Sequence, residues 1–324
     1  MHRKLLITGG AGYIGSILTS FLIDNGYEVT IFDDLSTGSA IDSRANVVEA
    51  SILDKSALQE ALIGINAVIH CAAKSLVEES VYSPEIYLQV NAEGTRVLLQ
   101  AMRNTNVEKI IFSSTAAVYG DSKVQPISED SSIDPINPYG NSKFAAEKVI
   151  SEFCKKGIAG ITFRYFNVSG SYKNNQGDLL VENHKNETHL IPIIMQRILQ
   201  KNIDRKFEIN GDNWPTRDGS CIRDYIHVLD LAKAHLLALN NFEKGSNRVF
   251  NLGSGVGYSV IEVVTEIEEF SGVKLDRVIS PARAGDPAVL LAAIHKAKDQ
   301  LGWIPEASLS EIIASSWQGA KQLG

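Results

Sequence analysis

Through the first half of the chain, short and wholly apolar runs alternate with longer stretches whose apolar residues recur at helical spacing. Leu5-Leu6-Ile7 runs straight into Gly9-Gly10, and Ser16 to Asn25 then carries Ile17, Leu18, Phe21 and Leu22 before Gly26 closes it. An apolar run bounded by turn residues predicts a buried strand, and recurrence at i, i+3 and i+4 predicts a helix packed on it. Glu28 to Phe32, Val47-Val48, Ala67 to Cys71, Lys109 to Ser113 and Ile158 to Arg164 repeat the strand pattern, with helical stretches between them. That rhythm predicts βαβ units wound into an open parallel sheet, with ligand groups gathered at the carboxyl ends of the strands.

The pattern changes near residue 170. Residues 171–189 are polar and aperiodic and predict a long loop leaving the first domain. A helix is predicted over Ile191 to Gln200, and Asn210 to Gly219 is rich in turn residues, which suits either an ordered loop over a ligand or partner or a surface hairpin. Tyr258 to Gly324 alternates helical runs with short strands. The organisation expected is a first domain over residues 1–170, joined by part of 220–250, and a smaller C-terminal α/β lobe over 171–324.

Composition narrows the possible partners. With 31 basic against 38 acidic residues the net charge is −7, and no basic run is present, so neither nucleic acid nor a membrane surface is an expected partner. Cys71, Cys154 and Cys221 are odd in number, far apart and without a C-x-x-C, which suits a reducing cytoplasm better than a disulfide scaffold. The N-terminal apolar run breaks at Gly9-Gly10 with no cleavage-type region after it, and no stretch is long enough to span a bilayer. The seven histidines show no ligand-like grouping, with His184 and His189 in the polar loop, so no metal is expected.

The glycines after the first strand carry more information. Gly10, Gly12 and Gly15 fit G-x-G-x-x-G, and Gly9, Gly12 and Gly15 fit a second, overlapping glycine spacing. Glycine there permits positive φ, lets backbone N–H groups approach a pyrophosphate, and lets the next helix pack closely on the strand. The second predicted strand ends in Asp33-Asp34, about 20 residues on, where a carboxylate accepts from adenosine ribose hydroxyls and repels a 2′-phosphate. Together these predict a Rossmann-type fold that binds NAD in preference to NADP. The glycine turn, Cys71-Ala72-Ala73 and Ser113-Ser114-Thr115 are expected to converge on it.

Tyr139 and Lys143 stand one helical turn apart, on one face of a predicted helix. A free tyrosine titrates near pH 10, and a neighbouring ammonium together with a positive nicotinamide ring would favour the phenolate. Such a tyrosine can take a proton from a substrate hydroxyl while hydride leaves the same carbon.

These pieces, with Phe112 to Gly120, Arg164 to Asn167, Asp218 to Val228 and Asn251 to Val260, give the chain a nearly end-to-end resemblance to the extended, nucleotide-sugar-modifying branch of the short-chain dehydrogenase/reductase superfamily. Within that branch it most resembles the UDP-galactose 4-epimerase family, through the long R-D-Y-I-H-V segment above all. The resemblance implies that Tyr139 is the base, that Lys143 tunes it and holds the nicotinamide ribose, and that Thr115 binds the sugar hydroxyl being oxidised. It implies a tightly bound NAD lined by Gly9, Gly12, Tyr13, Ile14 and Gly15, by Asp33, Asp34, Ser36 and Gly38, and by Ser51 and Ile52. Cys71, Ala72, Ala73, Asn91, Ser113 and Phe166 complete that lining. Asn167, His189 and Leu190 fall beside the substrate phosphates, Arg223 and Arg283 on the diphosphate, Asp286 on the uridine ribose and Leu290 at the sugar. A homodimer packed through the Tyr139 helix and the one around Val90 to Met102 is also implied, with Phe144, Val149, Ile150 and Phe153 turned either to that face or to the sheet.

The chain departs from the family pattern at several places. Ser51 replaces an aspartate that contacts the adenine amine, Ser75 a lysine, Val168 a proline, His189 an asparagine and Asn210 an aromatic near the uracil. None of these touches the catalytic trio. A 4,6-dehydratase would need an acid and a base directly after the threonine, where this chain has Ala116-Ala117. A 4-epimerase of UDP-N-acetylglucosamine, UDP-glucuronate or UDP-arabinose would use the same trio, and a non-catalytic NAD sensor would have no need of it.

Overall fold

The computed structural model describes residues 3–38, 40–184, 187–200, 206–282 and 286–323. Six strands are laid down in order: β1 (Lys4–Thr8), β2 (Glu28–Asp33), β3 (Asn46–Glu49), β4 (Ala67–His70), β5 (Lys109–Thr115) and β6 (Ala159–Tyr165). A seventh, Asn247–Leu252, returns from far along the chain to pair with β6, Phe250 lying opposite Phe163. Across the sheet the order is Asn247–Leu252, β6, β5, β4, β1, β2, β3, and every neighbouring pair is parallel. The chain reverses direction across the sheet at β1, which pairs with both β2 and β4. This is the switch point at which doubly wound sheets bind ligands.

The strands read as continuous apolar runs because both faces are covered. On one face lie the helices Tyr13–Asp24, Val228–Ala238 and His295–Leu301, and Leu18, Leu22, Ala234, Ala297 and Trp303 pack there against Ile7, Ile69 and Ile161. On the other lie Lys55–Ala61, Gly94–Asn104 and Pro138–Cys154, burying Leu58, Leu98, Met102, Val149, Ile150 and Phe153 against Leu6, Val68 and Ile110. Val149, Ile150 and Phe153 therefore face the sheet, and Phe144 packs beside a small separate cluster with Phe166. Val149 also borders the groove between this helix and the one before it.

A second core sits at the carboxyl ends of the strands. It is built by the helices Leu190–Leu199, Val260–Ser271 and Leu309–Leu323 around Ile194, Met195, Val264, Ile267 and Ile313. Strand Ile222–His227 joins the two regions, pairing with Asn167–Ser169 at one end and with Gly257–Ser259 and Val289–Leu290 at the other. The polar segment expected to be a loop contains a hairpin, Tyr172-Lys173 against Leu179-Leu180. Its turn is built by the Asn174 side chain, which accepts from the amides of Gln176 and Asp178, and by Gly177 at φ 95°. Strands of two residues are too short to show an alternating pattern in sequence. Among the described residues no helix is long and apolar enough to cross a membrane.

One buried carboxylate makes the fold acid-sensitive. Asp42 accepts from the Arg44 guanidinium at 2.9 and 2.6 Å and from the Ser20 hydroxyl, and the bonds to Arg44 hold its pKa at about 2 against an ordinary 3.8. A depressed folded-state pKa contributes stability that is present above 3.8 and lost as pH falls through 2. Between pH 5 and pH 2.5 the urea midpoint of the wild type should therefore fall further than that of Asp42→Asn. Equal losses in the two proteins would contradict this.

Candidate functional site

The turn between β1 and the Tyr13–Asp24 helix leaves no room for side chains. Gly9 has φ 69°, and a Cβ on it would lie 2.5 Å from the Ala72 amide nitrogen at the end of β4. A Cβ on Gly15 would lie 2.0 Å from the Gly9 carbonyl, and one on Gly38 would lie 2.3 Å from the Ala11 carbonyl. Gly12, by contrast, opens the helix with no side-chain cap, and a Cβ there would meet only the Gly9 carbonyl at 3.5 Å. The first-turn amides at Tyr13, Ile14 and Gly15 thus lack a side-chain partner at an approachable helix N-terminus, which fits a dinucleotide pyrophosphate.

Of the two aspartates, Asp33 turns to this loop. Its carboxylate accepts from the amides of Ala11 at 3.0 Å and Leu35 at 2.9 Å, while burial pulls its pKa upward against those bonds. Asp34 is instead tied to the amide and hydroxyl of Ser36. Ser51 is exposed and caps Leu53, and Ile52 is buried against the bare Cα of Gly94. The Asn91 side chain grips both backbone groups of Lys74 and the Ser142 hydroxyl, so it braces the segment after Ala73 against the Tyr139 helix. Cys71 bonds the Ser113 hydroxyl at 3.1 Å, and burial pushes its thiol up to about 11. The glycine turn, Cys71-Ala72 and Ser113 do converge.

The Pro138–Cys154 helix starts where the sequence fixes it, with Asn137 capping the Gly140 amide at 2.8 Å and Pro138 in the first turn. Tyr139 follows immediately, its amide held by the Ser80 hydroxyl at 3.1 Å. At the end of β5 the Thr115 hydroxyl acts on the Tyr139 phenol and favours its charged form, but burial outweighs this and raises the phenol above its ordinary value. Lys143 reaches back to β5. Its ammonium donates to the Ser113 carbonyl at 2.8 Å and lies 5.0 Å from the centre of the Phe112 ring. Burial brings Lys143 down to about 8.

Behind this pair stands a buried ion pair that sequence reasoning missed. Glu147 accepts from Arg164 at 3.0 and 2.7 Å and from the Ser114 hydroxyl at 2.5 Å, and Arg164 also donates to the Tyr119 phenol at 2.9 Å. A second chain runs from Cys71 through Ser113 and Tyr165 to His235. Glu147 continues the face of Tyr139 and Lys143 by one helical turn, which was its available signal.

On the opposite wall, strand Ile222–His227 sets Arg223 beside Leu290 and Tyr258, and Tyr225 beside Asn167. Arg223 donates to the carbonyls of Ile222 and Pro287, and its other terminal nitrogen lies 3.9 Å from the Asp286 carboxylate. Arg283 lies outside the described residues. Phe166 and Leu290 share a small cluster with Ala116 and Ala292. Asn210 ends a short strand, and the turn-rich segment after it is an ordered loop closed by Trp214, whose amide donates to Gly219. His189 stands at the N-cap position of the helix that Leu190 begins.

The expectation of no ligand-like histidine grouping also fails. Glu182, His184, Glu187 and His189 come together, each with one ligand-type atom within 4.8 Å of the others. His189 Nδ1 lies 2.8 Å from Glu182 Oε1 and 2.9 Å from Glu187 Oε1; burial alone would lower its pKa, but the two carboxylates push it up to about 10.

Comparison with known proteins places this geometry in context. A model of the NAD dependent epimerase/dehydratase family matches residues 5–253. A UDP-glucose 4-epimerase of Corynebacterium glutamicum is 45% identical, over 99% of this chain and 97% of the relative. The crystal structure of a UDP-glucose 4-epimerase from Stenotrophomonas maltophila, with bound NAD and formylated UDP-arabinopyranose, is 33% identical, superposes with a TM-score of 0.92 and covers 99% of both chains. That of the Bifidobacterium longum enzyme, in complex with NAD+ and UDP, is 34% identical, with a TM-score of 0.90 and 99% coverage of both.

The Glu147–Arg164 pair yields a stability prediction. Both residues are about 5% exposed, so Glu147→Gln should leave a buried guanidinium without its counter-charge and cost about 3 kcal/mol in guanidinium denaturation. A double variant, Glu147→Leu with Arg164→Met, should recover much of that loss. A cost below about 1 kcal/mol in the single variant would contradict the assignment.

Proposed function

Because the chain belongs to the NAD dependent epimerase/dehydratase family, we propose that it inverts C4 of a UDP-hexose, interconverting UDP-galactose and UDP-glucose with a tightly held NAD. The observation that carries this reading is the meeting of Thr115, Tyr139 and Lys143 at the carboxyl end of β5, beside the glycine turn. Bound NAD supplies the group that takes hydride from C4 of the sugar and gives it back.

The protein's own part is proton handling and orientation. Tyr139 accepts the proton of the 4-hydroxyl as hydride leaves, and Thr115 holds the same oxygen in line. With a pKa of about 8, Lys143 is mostly charged at neutral pH, and that charge, added to a positive nicotinamide, offsets the burial that otherwise keeps Tyr139 neutral. The 4-keto sugar turns over while its nucleotide stays anchored, so hydride returns to the other face. Arg223 and Arg283 hold the diphosphate, with Asn167, His189 and Leu190 beside the phosphates and Asp286 on the uridine ribose. Leu290 borders the sugar, and Phe166 the nicotinamide. Ala116, buried directly after Thr115, leaves no acid there for a dehydration.

A homodimer and a cytoplasmic setting belong to the same proposal. Between the Tyr139 helix and the helix before it runs a groove of about 480 Å³, lined by Leu88, Ala92, Arg96, Ala145, Lys148 and Glu152. Leu88 is 48% exposed there, and a second copy of the chain would cover it. The three cysteines are all unpaired, which suits a reducing compartment.

Protein purified and assayed without added NAD should convert UDP-galactose to UDP-glucose, seen as exchange of the anomeric proton NMR signals. Tyr139→Phe should lower kcat by about 10²- to 10⁴-fold while NAD still co-purifies, measured by nucleotide released on denaturation. A wild type inert on UDP-galactose would remove the proposed reaction, and an active Tyr139→Phe would remove the base.

A further inference from the structure

The cluster at Glu182, His184, Glu187 and His189 belongs to none of the roles above except where His189 nears the phosphates. Its two glutamates are almost completely withdrawn from water, with side chains 6% and 4% exposed. Each leaves one carboxylate oxygen, Oε2, buried with no partner among the described residues. Their other oxygens both crowd the same atom, His189 Nδ1, which carries at most one hydrogen to give them. His184 Nε2 stands 3.4 Å from Glu182 Oε1, and the two imidazoles lie 5.4 Å apart between ring centres. Two buried carboxylates facing one another with unmet acceptors form a site short of positive charge.

We infer that these four side chains form a zinc site that fastens the segment between the Tyr172–Leu180 hairpin and the Leu190–Leu199 helix. Two imidazoles and two carboxylates are a donor set for a tetrahedral Zn²⁺, whereas Mg²⁺ and Ca²⁺ are served by oxygen alone. With metal–ligand bonds near 2.0–2.2 Å, ligand atoms in a tetrahedron lie roughly 3.4 Å apart. Atoms already within 4.8 Å reach that spacing by small side-chain rotations. All four positions are filled by protein, so the site is closed and structural.

Its location gives the site a purpose. The His184 ring meets the ring of Tyr13 edge-on at 6.5 Å, and Tyr13 follows Gly12 at the start of the dinucleotide turn. On the other side, Val181 packs into the space left by Gly319, where a Cβ would lie 2.8 Å from its methyl group. His189 then stands at the N-cap position of the helix beginning at Leu190, with no capping bond from its side chain. An ion held by these four residues therefore ties the segment to the start of the first helix of the sheet and sets the N-terminus of a helix in the second core.

Tag-free protein, purified without chelators, should carry about one zinc per chain by plasma mass spectrometry, and His184→Ala and the nearly isosteric Glu187→Gln should each lose most of it. His295→Ala, which alters an exposed histidine elsewhere, should keep it. Dialysis against a chelator should lower the thermal midpoint, with recovery on adding Zn²⁺ but not Mg²⁺. Far-UV circular dichroism of the variants separates loss of metal from loss of fold. If the wild type carries no stoichiometric zinc and calorimetric titration with Zn²⁺ shows no saturable one-to-one uptake, the inference is overturned. Zinc uptake unchanged in the folded Glu187→Gln and His184→Ala variants would overturn it equally.

Discussion

The constraint on which the site depends is the approach of Gly9 to Ala72 at the point where the sheet reverses. With an added Cβ only 2.5 Å from a backbone nitrogen, no other residue fits Gly9 without moving β1 away from β4. That contact brings three strand ends, β1, β4 and β5, within reach of one ligand, because Cys71 follows β4 and bonds Ser113 of β5. Gly15 and Gly38 close the same turn from the helix and from the loop after β2. A dinucleotide site follows from packing backbone against backbone, and the side chains added to it serve the chemistry.

A balance of burial against charge governs that chemistry. Burial is the largest influence on all three groups: Tyr139 is raised, Cys71 is raised and Lys143 is lowered. The helix carrying Tyr139 and Lys143 is anchored from behind by Glu147 on Arg164 and Ser114.

Six strands of the sheet were legible because each is a short apolar run ended by turn chemistry, whereas the seventh, Asn247–Leu252, comes from far along the chain and was not read as a strand. Asp33 and the Tyr139–Lys143 spacing stood out because each sits at a fixed distance from a structural landmark. Pairings formed by distant segments were not legible. Glu147 meets Arg164 and Cys71 meets Ser113 only because of how strands and helices stack. Nor could spacing along the Tyr139 helix say which face looks outward, and Val149, Ile150 and Phe153 proved to face the sheet.

The central claim is that hydride leaves and returns to C4 inside one closed site, with Tyr139 moving only the proton. UDP-galactose carrying deuterium at C4 tests it most directly. Incubated with the protein in ordinary water, it should yield UDP-glucose that retains the deuterium at C4. Loss of the label to solvent would contradict the account, because it would mean that the C4 hydrogen leaves as a proton.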